Sequence, residues 1–248
     1  MSILEVYKVI GATFTECQPH ISVTSTEAEL NASGPPKYPM HVERGYIGDI
    51  SSDSLTTGLE ALPEGTAVDL RAAYMDMWLC DFPLVALPKP AREKLRGMNA
   101  RVHWLSLENP IPRLIVRFRK DDNEELLHSI MGITTLSGEQ FIVDFTGAQL
   151  GYAPQDWFMP QQDYLDRYTE DGSWSVNDDE DPCLEEIARA GWDGLRGLEG
   201  SGWLDKLREV AYGVDWVALD VLPPVQRFGS VRAEAKDTFD RFRKYIDC

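Results

Sequence analysis

The chain has 248 residues, 43% of them hydrophobic, and a formal net charge of −17. That length buries a sizeable core without disulfide or metal staples, and the acidic field opposes phosphate backbones and anionic membranes, so no nucleic-acid partner is expected. No stretch approaches the ~20 continuous apolar residues of a membrane span, and the opening MSILEVYKVIGATF lacks the basic-then-apolar pattern of a secretory signal, which points to the cytoplasm.

Residues 1–16 are rich in β-branched and aromatic side chains and predict one or two strands. Residues 31–65, with SGPPKYP and ALPEGT, predict a long irregular segment holding a short helix near Ser54–Leu62. Asp69 suits the N-cap of a helix from Leu70 to about Leu79; Pro83 and Pro88 break the chain after it, and Pro90 opens a short helix ending near Gly97. The middle reads as an antiparallel meander: PRLIVRFRK (112–120), LLHSIMGITTL (126–136), a turn at Ser137-Gly138, and EQFIVDF (139–145). Arg113, Arg117 and Arg119 share one face of the first strand and read as solvated. APQDWFMPQQDY, with Trp157, Phe158 and Tyr164, reads as an aromatic-rich loop that either lines an apolar pocket or is pinned to the body by its aromatic anchors. The run Asn177–Asp181 reads as a solvated linker, its spacing unlike an EF-hand loop. The final third is helical, with LEEIARAGWDGLRGL, WLDKLREVA, and a stripe of Val231, Ala235, Phe239, Phe242 and Ile246. The fold class expected is therefore α+β: an antiparallel sheet centred on 112–145, packed with helices. It forms one domain over 1–248, with a helical C-terminal subdomain at 183–248.

Cys17, Cys80, Cys183 and Cys248 are far apart, with no CxxC pair, so they read as free thiols in a reducing compartment. No HExxH or similar ligand spacing occurs, and no phosphate-cradling glycine loop, so neither a metal nor a cofactor is expected. The suggestive pair is His128 and Asp144. A hairpin folded at Ser137-Gly138 brings them to one end of the sheet, where facing side chains on adjacent strands come within ~5.5 Å. A carboxylate beside an imidazole fixes its tautomer and favours its charged form, the general-base half of a nucleophilic triad. A register slip of one residue would separate them.

The segment HSIMGITTLSGEQFIVDFTGAQLG resembles the His-strand–turn–strand-Asp element of transglutaminase-like and papain-like thiol enzymes, with His128, Gly138, Asp144 and Thr146 in matching places. Its ending also resembles fungal proteins with a D-x-T-G-A-Q-x-G pattern. The resemblance covers about 25 residues of the 248 and implies a nucleophilic cysteine upstream, at a helix start. Cys17 and Cys80 are the two upstream cysteines. Cys17 lies among TECQPHIS and reads as a strand-end thiol; Cys80, in MWLCDFP, comes after a helix-like segment and reads as core. Gln149, Tyr152 and Trp157 are candidates to bind substrate, or to cap a turn and pin a loop. His103-Trp104 is a second His-Trp pair, ranked below His128.

Three functions stay open. One is a thiol-dependent acyl-transfer enzyme acting on a small-molecule or peptide-like substrate. Another is the same fold with its thiol chemistry lost, doing His/Asp acid–base work on a small metabolite. The last is a non-catalytic protein-binding module.

Overall fold

The computed structural model describes residues 1–17, 40–43, 72–73, 80–117, 127–177, 186 and 202–246. The helices expected at Ser54–Leu62, Leu70–Leu79 and 184–198 lie outside the described residues, apart from two helical residues at 72–73 and one at Glu186. Arg119, residues 178–181, Cys183 and Cys248 lie outside them as well.

The N-terminal segment is a helix, α1 (Ile3–Cys17), and corrects the strand reading of residues 1–16. Two features decide it. Ser2 and Glu5 form a capping box: the Glu5 carboxylate accepts the Ser2 backbone N–H at 2.7 Å, and the Ser2 hydroxyl accepts the Glu5 N–H at 3.3 Å. Ile3, Val6, Tyr7, Ile10 and Phe14 then recur at helical spacing and pack into one core, which outweighs the β propensity of the branched residues. Gly11 lets this helix close on Phe145, whose ring edge would stand 2.8 Å from a Cβ there.

A short strand, β1 (Met40–Glu43), is followed by two helices in near succession, α2 (Asp81–Ala86) and α3 (Pro88–Leu95). Pro83 does not end a helix; it lies within the first turn of α2, where its missing N–H is no loss. Pro88 opens α3 for the same reason. Next come β2 (Arg101–Leu107), β3 (Leu114–Arg117), β4 (His128–Thr134) and β5 (Gln140–Val143). β6 (Phe158–Pro160), α4 (Gln161–Tyr168) and β7 (Trp174–Asn177) come after them, and replace the expected aromatic loop and part of the expected acidic linker. Three helices close the described chain: α5 (Trp203–Tyr212), α6 (Trp216–Val221) and α7 (Pro224–Ile246).

The fold is α+β, with a five-stranded antiparallel sheet in the order β6-β5-β4-β2-β7 and helices at the C-terminal end of the chain. The β4–β5 hairpin is the one expected; Gly138 sits at φ +86°, a left-handed conformation that suits glycine in its turn. The other neighbour of β4 differs. β3 leaves the sheet to pair in parallel with β1, and its place beside β4 is taken by β2, the RVHWLSL segment.

Both faces of this sheet are covered. Val102, Trp104, Met131, Ile133 and Val143 pack against α1, α2, α3, α5 and α7. Leu105, Leu107, Ile130 and Ile142 face the opposite layer, built from Leu150, Tyr152 and the α4 residues Tyr164, Leu165 and Tyr168. Val231, Ala235 and Phe239 of the expected C-terminal stripe are buried, and Phe242 packs at its edge. No helix among the described residues is long and apolar enough to cross a membrane.

Candidate active site

Strand alternation places the two key side chains. His128 lies two residues before Ile130 and Asp144 two after Ile142, so both project to the face of those two isoleucines. The pairing Gly132↔Ile142 sets the level of the strands, and Asp144 leaves the hairpin through a hydrogen bond from its N–H to the Trp157 carbonyl at 2.8 Å. His128 Nε2–H then donates to Asp144 Oδ2 at 3.0 Å. The two side chains are 0% and 2% exposed, so the pair is fully desolvated.

Asp144 accepts from two further donors. The Tyr164 hydroxyl donates to the same Oδ2 at 2.7 Å, and the Thr146 N–H donates to Oδ1 at 3.0 Å. Burial pushes the carboxyl up, yet the facing imidazolium and these donors outweigh it and hold Asp144 below the usual range. Burial likewise pulls the imidazole down, and the Asp144 charge and hydrogen bond, with a smaller contribution from Cys80, outweigh it and raise His128 well above its ordinary value. Both directions describe one thing, a buried ion pair. Gly147 is required beside it: a Cβ there would collide with Asp144 Oδ2 and stand 3.2 Å from the Tyr152 ring.

Cys80 completes the cluster. It is the residue immediately before α2, in its N-cap position, and it lies near enough to His128 to help hold the imidazole charged. This corrects the reading of Cys80 as a core thiol: it opens α2 and is half-buried, and the segment before it at 74–79 lies outside the described residues. The thiol also points to Asp81 Oδ1 at 3.8 Å. Cys17 is the last residue of α1 instead of a strand end, and its side chain lies outside the described residues.

The second ring nitrogen of His128, Nδ1, lies 3.0 Å from Gln149 Nε2, which donates to it when the ring is neutral. That bond fixes the neutral ring with its proton on Nε2, toward Asp144. In the imidazolium both nitrogens donate, and Nδ1–H then requires an acceptor such as a thiolate or the Gln149 oxygen after a half-turn of its amide.

Tyr152 is buried edge-on against the His128 ring, 5.9 Å between centroids, and its hydroxyl donates to the Tyr168 carbonyl at 3.2 Å. Trp157 stacks on Phe145 at 6.0 Å. Both border a cavity of about 170 Å³ that reaches Asp144 but neither His128 nor Cys80, so it sits behind the carboxylate, away from the thiol. Of the three, Gln149 is the one hydrogen-bonded to the ring. His103 lies on the interior strand β2, separate from the pair, where burial and then Arg92 and Arg101 push it down.

The hydroxyl of Tyr164 is the site member that sequence reasoning missed. Its only sequence signal was an aromatic residue in a stretch read as loop. Among the described residues no group of three or more His, Cys, Asp or Glu side chains is placed to hold a metal ion. A scan of protein-family models and searches of curated proteins and of solved structures find no match to this chain.

Proposed function

We propose that the protein is a thiol-dependent acyl-transfer enzyme, with Cys80 as nucleophile, His128 as base and acid, and Asp144 as the group that orients and charges the imidazole. One observation carries this reading: a buried imidazole hydrogen-bonded to a carboxylate, with a half-buried thiol near it at a helix start. The resemblance of residues 128–151 to the transglutaminase-like and papain-like thiol enzymes agrees with it.

Those positions dictate the chemistry. In the reacting state the Cys80 proton already resides on the imidazolium, and the sulfur attacks the carbonyl carbon of an amide or thioester, forming a C–S bond and a tetrahedral centre. Collapse breaks the bond to the leaving amine or thiol, which leaves with the proton from His128. An acyl-thioester remains on Cys80. Water or an amine, deprotonated by His128, attacks it and restores the thiol.

The complete burial of His128 favours one other reading, a structural polar cluster that ties the β4–β5 hairpin to α4. Alkylation of the full-length protein separates the two. Iodoacetamide should modify Cys80, identified by peptide mass, at pH ~6–7, where an ordinary thiol of pKa ~8.5 is slow. His128→Ala should abolish that advantage, and p-nitrophenyl acetate should acylate the Cys80 peptide in wild type alone. A Cys80 that reacts slowly at pH ~6–7 and ignores the loss of His128 would leave the structural cluster.

A further inference from the structure

We infer that Tyr164 is a positioning residue of this site: its phenol shares the carboxylate oxygen that holds the His128 proton, and so limits how strongly Asp144 draws that proton. The inference rests on the acyl-transfer reading for its role in catalysis, though its geometry stands on the pair alone.

Three tyrosines form one cluster on this face of the sheet, and their hydroxyls go to different places. Tyr152 donates to a backbone carbonyl, that of Tyr168, at 3.2 Å, the ordinary way to satisfy a buried phenol. Tyr168 donates to Asp156 Oδ2 at 2.6 Å, near solvent. Tyr164, only 1% exposed, instead donates to Asp144 Oδ2 at 2.7 Å, closer than the 3.0 Å of His128 Nε2 on the same oxygen. The ring is held edge-on to Tyr152 and tilted against Tyr168, so the hydroxyl is aimed by packing from α4.

An oxygen that serves two donors serves each less well. Negative charge drawn toward the phenol is lost to the imidazole, and the phenol also fixes the carboxylate rotamer that faces it. The charged or titratable groups around the three partners come from several elements. Cys80 meets His128 from the start of α2; Tyr152 faces Asp144; Tyr168 faces Tyr164 and carries Arg113 above its ring and Asp156 on its hydroxyl. A change confined to the Tyr164 oxygen leaves each of these in place.

The test is a pH titration of the His128 ring nitrogens by NMR in the full-length protein, with His128→Gln to assign the signals. Tyr164→Phe keeps the ring and removes the oxygen. It should raise the His128 midpoint by about 0.5 unit or more. Incorporation of 3-fluorotyrosine at position 164 makes the phenol a stronger donor with the fold retained, and should move the midpoint the other way. This second variant also decides the matter if the phenylalanine protein does not fold. Midpoints within about 0.2 unit of wild type in the folded variants would reduce Tyr164 to packing. The titration does not depend on Cys80: an inert thiol with shifted midpoints overturns the enzyme reading only, and a reactive thiol with unmoved midpoints overturns the role of Tyr164 only.

Discussion

Replacing Asp144 by asparagine keeps the side-chain shape and removes one acceptor and the charge. Three donors converge on the two oxygens, Nε2–H and the Tyr164 hydroxyl on one, the Thr146 N–H on the other. An amide cannot serve all three. With its NH2 toward Thr146 it leaves a buried N–H unpaired, at about 1–3 kcal/mol. With its NH2 toward His128 it sets two donors, the amide and the ring Nε2–H, against each other. In either pose the imidazolium loses its counter-charge in a site 0% exposed, and breaking a buried pair costs about 3–5 kcal/mol. Asp144→Asn should therefore lose about 3–5 kcal/mol in urea unfolding near pH ~6. With a slope of about 2–3 kcal/mol per molar, the midpoint falls by about 1–2 M. A loss below about 1 kcal/mol at unchanged slope would refute the buried ion pair.

The pH dependence of stability has a defined shape. Folding raises His128, so its contribution is complete below the unfolded value of ~6.5 and is lost as pH climbs to the raised folded value, at no more than ~1.4 kcal/mol per pH unit. Folding lowers Asp144, so its contribution is present above ~3.9 and is lost as pH falls through the lowered folded value. Urea unfolding across pH should show a plateau from ~4 to ~6.5, and His128→Gln should flatten the alkaline slope; equal slopes in both proteins would count against the pair. Gly147→Ala should cost about 1–3 kcal/mol and slow Cys80 alkylation, because its Cβ displaces Asp144 Oδ2. Gly97→Ala, which meets only open space, is the matched control and should melt like wild type.

The pair of His128 and Asp144 was legible because its causes are local. A glycine turn and two period-2 strands fix the register over a short stretch of chain, and the register fixes the face. The cysteine was not legible in the same way. Cys80 meets His128 from far back along the chain, and no periodicity in MWLCDFP announces that a helix begins just after the thiol. The strand reading of residues 1–16 failed because composition was weighed over spacing: Ser2-x-x-Glu5 and the 3-4 recurrence of apolar residues were both present. β3 was readable as a strand but its partner was not, since pairing with Met40–Glu43 is a non-local choice. Tyr164 falls in a segment that reads as an aromatic-rich loop, whereas Pro160 stands directly before the helix that aims the phenol.

The sheet's outer strands have a further consequence. β6 has three residues and ends in Pro160, which offers no N–H; β7 has four. Fibril growth by strand addition needs a flat run of about six residues with free ladder groups. Neither border supplies one, whereas the seven-residue strands β2 and β4 are interior. Templated self-association of this sheet thus requires β6 or β7 to peel away first, which ties its resistance to aggregation to how firmly α4 and the Asp144–Tyr164 bond hold that border in place.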